Sequence, residues 1–325
     1  MTARGGIDLG GTKIQAVVVD DDHRVLGSAR RATASSGGPA DIAAAMAQTL
    51  AQAADAAGVS TGSLAGIGVG SPGVVDADTG TVTSARNLPG WEGSFALGNA
   101  LERALGAPVA LGNDVQVATD AEFHLGAGRA YRSLLGVFWG TGVGGGLILD
   151  GRPWLGRGGA GEIGHMVVKA GGARCGCGRR GCMEAYAGRA AMERRARKVA
   201  DRGARTDLFK IMRSRERTRL TSGVWARALK RKDPVATRLI ARAVGALGAG
   251  VASAVNLLDV EAVIIGGGLG IRLGQPYADR IAAAMRPHLF AERPPDVHVA
   301  ALGDLGGAIG AALLVGAPEI TPVAA

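Results

Sequence analysis

Cysteine is almost missing from this chain of 325 residues: there are three, an odd number, and all fall between Cys175 and Cys182. A secreted disulfide framework needs paired and dispersed cysteines, so that class is excluded, and clustered thiols point to metal ligation instead. Aromatic residues are scarce at 4%. None interleaves with the basic residues in the way that single-strand nucleic-acid binding requires, so no nucleic-acid partner is expected. No apolar run reaches the ~20 residues of a membrane span without a glycine or a charge interrupting it, and no membrane partner is expected. The opening Met1-Thr2-Ala3-Arg4-Gly5-Gly6 lacks the apolar segment and cleavage site of a signal peptide, so the expected compartment is the cytoplasm. No Ser/Pro-rich linker marks a domain boundary.

What is abundant is glycine, with 54 residues, much of it in short clusters that suit backbone approaching a ligand. The chain is long for one domain and comfortable for two, and 47% hydrophobic residues supply a sizeable core. The net charge of +9 is concentrated: from Arg189 to Lys232 there are sixteen Lys and Arg against four Asp and Glu. This stretch reads as a solvated helical face, with a track for a polyanion such as polyphosphate as the rival reading.

Ile7–Leu9 and Ile14–Val19 read as strands around the turn Gly10-Gly11-Thr12-Lys13, with a third strand over Arg24–Ala29. A helix over Pro39–Ala57, a buried strand at Leu64–Val69, a helix at Leu97–Leu105 and a strand at Pro108–Leu111 follow. That strand leads into Gly112-Asn113-Asp114 and a helix over Val115–His124. The opening pattern then repeats: Leu134–Trp139 and Val143–Leu149 flank Gly140-Thr141-Gly142, which suggests two related halves. Helices are expected at Tyr186–Arg202, Leu220–Lys230 and Asp233–Asp259, then a strand at Glu261–Ile265 ending in Gly266-Gly267-Gly268. A helix at Pro276–Leu289, a strand at Val297–Ala301 and a last helix at Leu305–Val315 complete the chain. Strands alternating with helices mean an α/β fold. We expect one domain over 1–117 plus 305–325, the last helix returning to it, and a larger one over 118–304.

Three segments carry phosphate chemistry. In Asp8-Leu9-Gly10-Gly11-Thr12-Lys13 the glycines let backbone N–H groups face a phosphate, Thr12 and Lys13 add donors, and Asp8 can hold Mg²⁺ directly or through water. No helix follows these glycines, so this is not a Walker A loop. The run Gly140–Gly146 and the triplet Gly266–Gly268 add two more glycine turns. His165, Cys175, Cys177 and Cys182 supply one imidazole and three thiolates, a closed tetrahedral set suited to structural Zn²⁺. Glu162 and Glu184 flank these ligands closely in sequence, so a metal would fix both carboxylates. Asn113-Asp114 stands where a strand ends and a helix begins, and a helix cap is one reading of it.

With these segments the chain resembles the ROK family (repressors, open reading frames, kinases) of the actin-like ATPase superfamily. The matching stretches are Asp8–Lys13, Gly70-Ser71-Pro72-Gly73, Asn113-Asp114, Gly140–Gly146, Gly161-Glu162-Ile163-Gly164-His165, Cys175–Glu184 and Gly266–Gly268, in the family's order over nearly the whole chain. The resemblance implies a two-domain actin-like (ribonuclease H-like) fold with ATP and sugar meeting in the interdomain cleft. It implies that Asp8, Gly10, Gly11, Thr12, Lys13, Thr141, Gly142 and Gly144 serve MgATP at its phosphates, with Gly266, Gly267 and Gly268 near the adenosine. Asp114 then corresponds to the catalytic base, and Gly73, Asn87, Asn113, Asp114, Glu162, His165 and Glu184 to sugar-binding positions. One nitrogen of His165 would bind zinc while the other faces a hydroxyl. The family's glucokinases are the nearest match, so glucose, ATP with Mg²⁺ and structural Zn²⁺ are the expected ligands, in a homodimer or homotetramer. Kinases for N-acetylglucosamine, N-acetylmannosamine, mannose or fructose share the same loops. The family's repressors place a helix-turn-helix before the kinase-like part, and a first phosphate loop at Asp8 leaves no room for one.

Overall fold

The glycine pair 10–11 separates the apolar segments 7–9 and 14–19, and the computed structural model, which describes residues 2–85, 88–290 and 292–316, folds them into a hairpin. The described residues form two compact units: one runs to His124 and includes Gly156–Gly159 and the return from Asp304, and the other covers Leu125–Leu155 and Ala160–Gly303. Helix 114–125 is uninterrupted, so the division falls at its end rather than at residue 117.

In the first unit β1 (Arg4–Leu9), β2 (Lys13–Val19) and β3 (Val25–Ala32) pair antiparallel. Helix α1 (Pro39–Ala57) follows, and β4 (Ile67–Ser71) then joins β1 in parallel. The small strands β5 (Val74–Asp76), β6 (Thr81–Thr83) and β7 (Ser94–Phe95) make a separate three-stranded sheet. Helix α2 (Leu97–Leu105), β8 (Val109–Asn113) and α3 (Asp114–Leu125) complete this run. The main sheet has the order β3-β2-β1-β4-β8. Helix α1 buries Ile42, Met46, Leu50 and Ala53, a helical spacing that packs one stripe into the core with Ile7, Ile14 and Ile67. The closing helix, Gly306–Leu313, also lies on this sheet. It approaches so closely that a Cβ at Gly6 would run into Ala308 O, and one at Gly68 into Ala311 O.

The second unit repeats the plan. Strands β9 (Leu134–Trp139), β10 (Val143–Leu149) and β11 (Arg152–Pro153) are antiparallel. After them come α4 (Glu184–Ala187), α5 (Arg189–Ala200), α6 (Leu208–Arg213), α7 (Ser222–Lys230) and α8 (Pro234–Leu258). Then β12 (Ala262–Gly266), α9 (Gly267–Leu273), α10 (Gln275–Met285) and β13 (Asp296–Val299) close the unit. The sheet order is β11-β10-β9-β12-β13, with β12 parallel to both β9 and β13. Both units therefore have three antiparallel strands followed by two parallel ones, as the repeated strand–turn–strand pattern suggested. Helix α8 has the length and mean hydropathy (1.4) of a membrane span, yet 61% of that window is buried inside the unit. Its N-terminus is capped by Asp233, whose carboxylate accepts the Ala236 N–H at 2.8 Å.

Three expectations change. The helix read over Tyr186–Arg202 is two, because Gly188 takes an extended conformation (φ −58°, ψ 130°) between α4 and α5. Helix α6 falls in a stretch where basic residues hide the apolar spacing of Leu208, Ile211 and Met212. Gly266–Gly268 is not a free loop: Gly266 ends β12, and Gly267 and Gly268 open α9.

Candidate functional site

The cysteine segment is a loop closed on itself. The Cys175 N–H donates to Arg179 O at 2.8 Å, the Gly181 N–H to Ala173 O at 2.9 Å, and Val167 bridges to Cys182. Gly178 (φ 91°) and Gly181 (φ 85°) make the left-handed turns that this tight path requires. The result brings one ligand atom each from His165, Cys175, Cys177 and Cys182 within 4.8 Å of one another. Sulfurs sharing a tetrahedral zinc at ~2.3 Å stand about 3.8 Å apart. Cys177 Sγ and Cys182 Sγ are separated by 3.7 Å, and Cys175 Sγ and His165 Nδ1 by 3.8 Å, so the donor set fits that ion. Burial pushes the Cys175 thiol up to about 12. Burial also raises Cys177, but the Arg179 backbone N–H and hydrogen bonds from Cys175 and Cys182 outweigh it and bring the thiol down to about 6. A divalent cation would hold all three as thiolates.

His165 uses its Nδ1 edge toward the sulfurs, and its Nε2 lies 3.8 Å from Glu162 Oε2. Glu162 is largely exposed. Glu184, the first residue of α4, accepts the Val143 N–H at 3.0 Å through Oε2, and its Oε1 is 3.7 Å from Cys175 Sγ. Glu162, His165 and Glu184 thus gather around the sulfur cluster, and Glu184 links it to the turn Gly140–Gly142. A Cβ at Gly142 would overlap Glu184 Oε2, so a side chain there would displace that carboxylate from the Val143 N–H.

That turn is held from a residue the sequence reading did not single out. The Arg189 N–H donates to Gly140 O at 3.1 Å and the Ala190 N–H to Thr141 O at 3.0 Å. The Arg189 guanidinium donates to Thr141 Oγ1 at 2.8 Å and to Ser222 Oγ at 2.9 Å. A Cβ on Gly268 would stand 3.5 Å from the same Ser222 Oγ, so Ser222 lies beside the start of α9. Burial and the nearby Arg219 push the Arg189 pKa down, while Glu193 opposes them. Both of its hydrogen-bond partners are hydroxyls, which do not neutralise its charge. Arg189 sits inside a basic run and its partners are 48 and 33 positions away, so only the fold reveals it.

In the first unit the Gly10 N–H donates to Lys13 O at 2.9 Å, and Thr33 Oγ1 donates to Gly10 O at 2.6 Å, shaping the turn that carries Gly11 and Thr12. Asp8 ends beside the closing helix: a Cβ on Gly307 would lie 2.8 Å from Asp8 Cγ. Lys13 Nζ is 3.6 Å from Asp304 Oδ1, so Asp304, also unforeseen, joins this cluster. Burial pushes Asp8 up to about 6; Lys13 opposes that and Asp304 adds to it. Because the folded value lies above the ordinary 3.8, the stability Asp8 contributes is complete below pH 3.8 and is lost as pH rises through about 6. Asp8→Asn is therefore expected to stabilise the protein at about pH 7.5 by up to on the order of 3 kcal/mol, with no gain near pH 4. Thermal melting at the two pH values checks this, and an equal shift at both would contradict it.

Asn113 and Asp114 stand at the junction of β8 and α3. Asn113 Oδ1 accepts the N–H groups of Val115 (3.0 Å) and Gln116 (3.2 Å), which makes Asn113 the helix cap. Asp114 is the first helical residue, and its Oδ1 accepts the Val115 N–H at 3.0 Å. Gly73 has φ 95°, and a Cβ there would meet Thr83 O at 2.8 Å, so the β5–β6 sheet itself demands glycine. Gly144 lies within β10, paired with Phe138. Asn87 lies outside the described residues.

Comparison with known proteins places the chain in a family. The chain is 31% identical over 315 residues to a glucokinase of Thermotoga maritima, covering 95% of this chain and 96% of that one. It is 34% identical over 323 residues to an N-acetylgalactosamine kinase of Shewanella sp. strain ANA-3, covering 95% of each. Among solved structures, a ROK family glucokinase from Streptomyces griseus in complex with glucose and AMPPNP superposes with a TM-score of 0.83 at 32% identity, covering 96% of this chain and 99% of that one. The fold is the actin-like α/β fold of these sugar kinases. The ROK family model matches residues 4–317, and the chain belongs to the ROK family.

Proposed function

We propose that this chain transfers the γ-phosphoryl group of ATP to the 6-hydroxyl of glucose, forming glucose 6-phosphate and ADP. The observation that carries the reading is the double use of His165, whose Nδ1 lies 3.8 Å from Cys175 Sγ in the four-residue cluster while Nε2 stays on the Glu162 side. A metal held there would orient an imidazole and two carboxylates as one unit for sugar hydroxyls. Glucokinases recur among the relatives, one of them solved with glucose and an ATP analogue.

In the reaction, Asp114 accepts the proton of the 6-hydroxyl as that oxygen attacks the γ-phosphorus and the bond to the β-phosphate oxygen breaks. Asn113 caps the helix through Oδ1, so its amide N–H₂ remains available to a sugar hydroxyl. Thr141 accepts from Arg189, so its own O–H would remain available to a phosphate oxygen. Asp8 would hold magnesium, which when bound supplies charge neutralisation at the phosphates. Gly267 and Gly268 lie on the adenosine side. Positioning and charge stabilisation contribute more than proton removal.

The second reading is an N-acetylhexosamine kinase, favoured by the 34% identity to the N-acetylgalactosamine enzyme. Purified protein with MgATP, assayed against glucose, mannose, fructose and the N-acetylhexosamines, is expected to give the highest kcat/KM with glucose. A clearly higher value for an N-acetylhexosamine would replace glucose and leave the kinase assignment standing.

A further inference from the structure

Beside the cysteine loop, helix α5 borders a concavity of about 520 Å³. Arg194, Arg195 and Lys198 reach it from α5, Lys169 and Arg174 from the cysteine loop, and Arg242 from α8. None of its lining residues is acidic. Tyr186 forms part of the wall: it is 7% exposed, its hydroxyl oxygen accepts the Ala173 N–H at 2.8 Å, and the Arg242 guanidinium stacks 4.5 Å over its ring. The nearest acid of α5, Glu193, is buried on the opposite face, where it accepts from Arg197 at 2.6 Å and from the Leu220 N–H at 3.0 Å. It therefore does not neutralise the pocket.

A merely solvated basic helix would spread its charges along one surface. Here three separate elements converge six cations on one hollow. Like charges held this close repel, and the fold keeps them without a carboxylate among them. Arg242 is already ordered by its stacking, so less of its rotamer freedom remains to be lost on binding. We infer that this hollow is a binding site for a multiply charged phosphate-bearing anion, separate from the phosphate turns. The two sources of that chemistry are condensed inorganic phosphate and a sugar phosphate, and both fit the volume. The site adjoins Arg174, next to Cys175, so its occupant would touch the loop whose other side carries Glu184.

Titration calorimetry on the full-length protein tests the inference, with glucose and AMPPNP at saturation so that the proposed reaction site is filled. Inorganic triphosphate and glucose 6-phosphate serve as separate probes. One of them is expected to bind at one molecule per chain, and the tighter probe identifies the source. The double substitution R194A/K198A should weaken it at least about tenfold, since each charged hydrogen bond is worth more than a neutral one. R213A/R215A removes two exposed arginines of the same basic stretch outside the hollow and should change affinity less than about twofold, the size of a screened surface effect. Absence of saturable binding by both probes, or equal weakening by the two double variants, overturns the site.

Discussion

Asp114→Asn is expected to yield a folded protein whose kcat falls by ~10²–10⁴, the range a general base supplies. The local geometry makes this substitution informative. A carboxylate at a helix start is often only a cap, and loss of a cap costs about 0.5–2 kcal/mol. Here that task belongs to Asn113, whose Oδ1 receives the N–H groups of Val115 and Gln116. Asparagine at 114 keeps the size of the side chain and an oxygen for the Val115 N–H, so α3 should be little disturbed. What it removes is the negative charge and the proton acceptor. Nucleotide affinity should hardly change, while sugar affinity should weaken somewhat because, in the proposed role, the carboxylate also accepts from the attacking hydroxyl. The companion Asn113→Ala should lower the melting temperature, as loss of a cap does, as well as weaken sugar binding, whereas Asp114→Asn should leave the melting temperature nearly unchanged. Steady-state kinetics with the melting curve decide the matter: an Asp114→Asn protein retaining more than about a tenth of its kcat would remove Asp114 from the role.

How much of this was legible beforehand depended on whether the information was local. The Gly-rich turns, the cysteine spacing and the Asn-Asp junction are contiguous in sequence, and the strands around them follow from runs of valine and isoleucine. The cap at Asn113 could be foreseen as one reading of Asn-Asp, but which of the two residues performs it needed the backbone. Arg189 and Asp304 were not legible, because each acts on a turn far away in the chain: Arg189 on Thr141, Asp304 on Lys13. A basic run conceals the one arginine that holds the Thr141 turn. The break at Gly188 escaped notice because the alanines and arginines around it favour helix, and the extended residue serves to return Arg189 and Ala190 to the carbonyls of Gly140 and Thr141. The strands β5–β7 are two or three residues each, too short for alternation to register.

Replacing Cys177 by serine is expected to release zinc and with it the sugar. Apparent binding energies of structural zinc, on the order of 10–16 kcal/mol, rival the roughly 5–15 kcal/mol that holds a whole domain together. Besides such an ion, the loop is held by main-chain contacts and by the Ala173 N–H donating to the Tyr186 hydroxyl. Two isolated bridges, Val167 to Cys182 and Arg174 to Arg180, and a few turn hydrogen bonds connect it to itself. Its interior is thiols, not a packed apolar core, so loss of the ion leaves neighbouring sulfurs competing for protons where a cation had held them. Three consequences should appear together: no zinc by elemental analysis, a lower melting temperature, and loss of measurable glucose binding. The last follows from geometry, since Glu184 stands 3.7 Å from Cys175 Sγ and His165 shares its ring with the cluster, so neither can hold its angle when the sulfurs disperse. Nucleotide binding is the internal control. Gly10–Lys13 and Asp8 belong to the first unit, which has its own core, and should fold regardless. The Thr141 turn also leans on Glu184 through Val143, but Arg189 holds it independently, so AMPPNP affinity should fall far less than glucose affinity. Wild-type protein that is fully active and contains no zinc would refute the structural ion outright. A Cys177→Ser protein that loses zinc yet binds glucose normally would break the proposed link between the metal and the carboxylates assigned to the sugar.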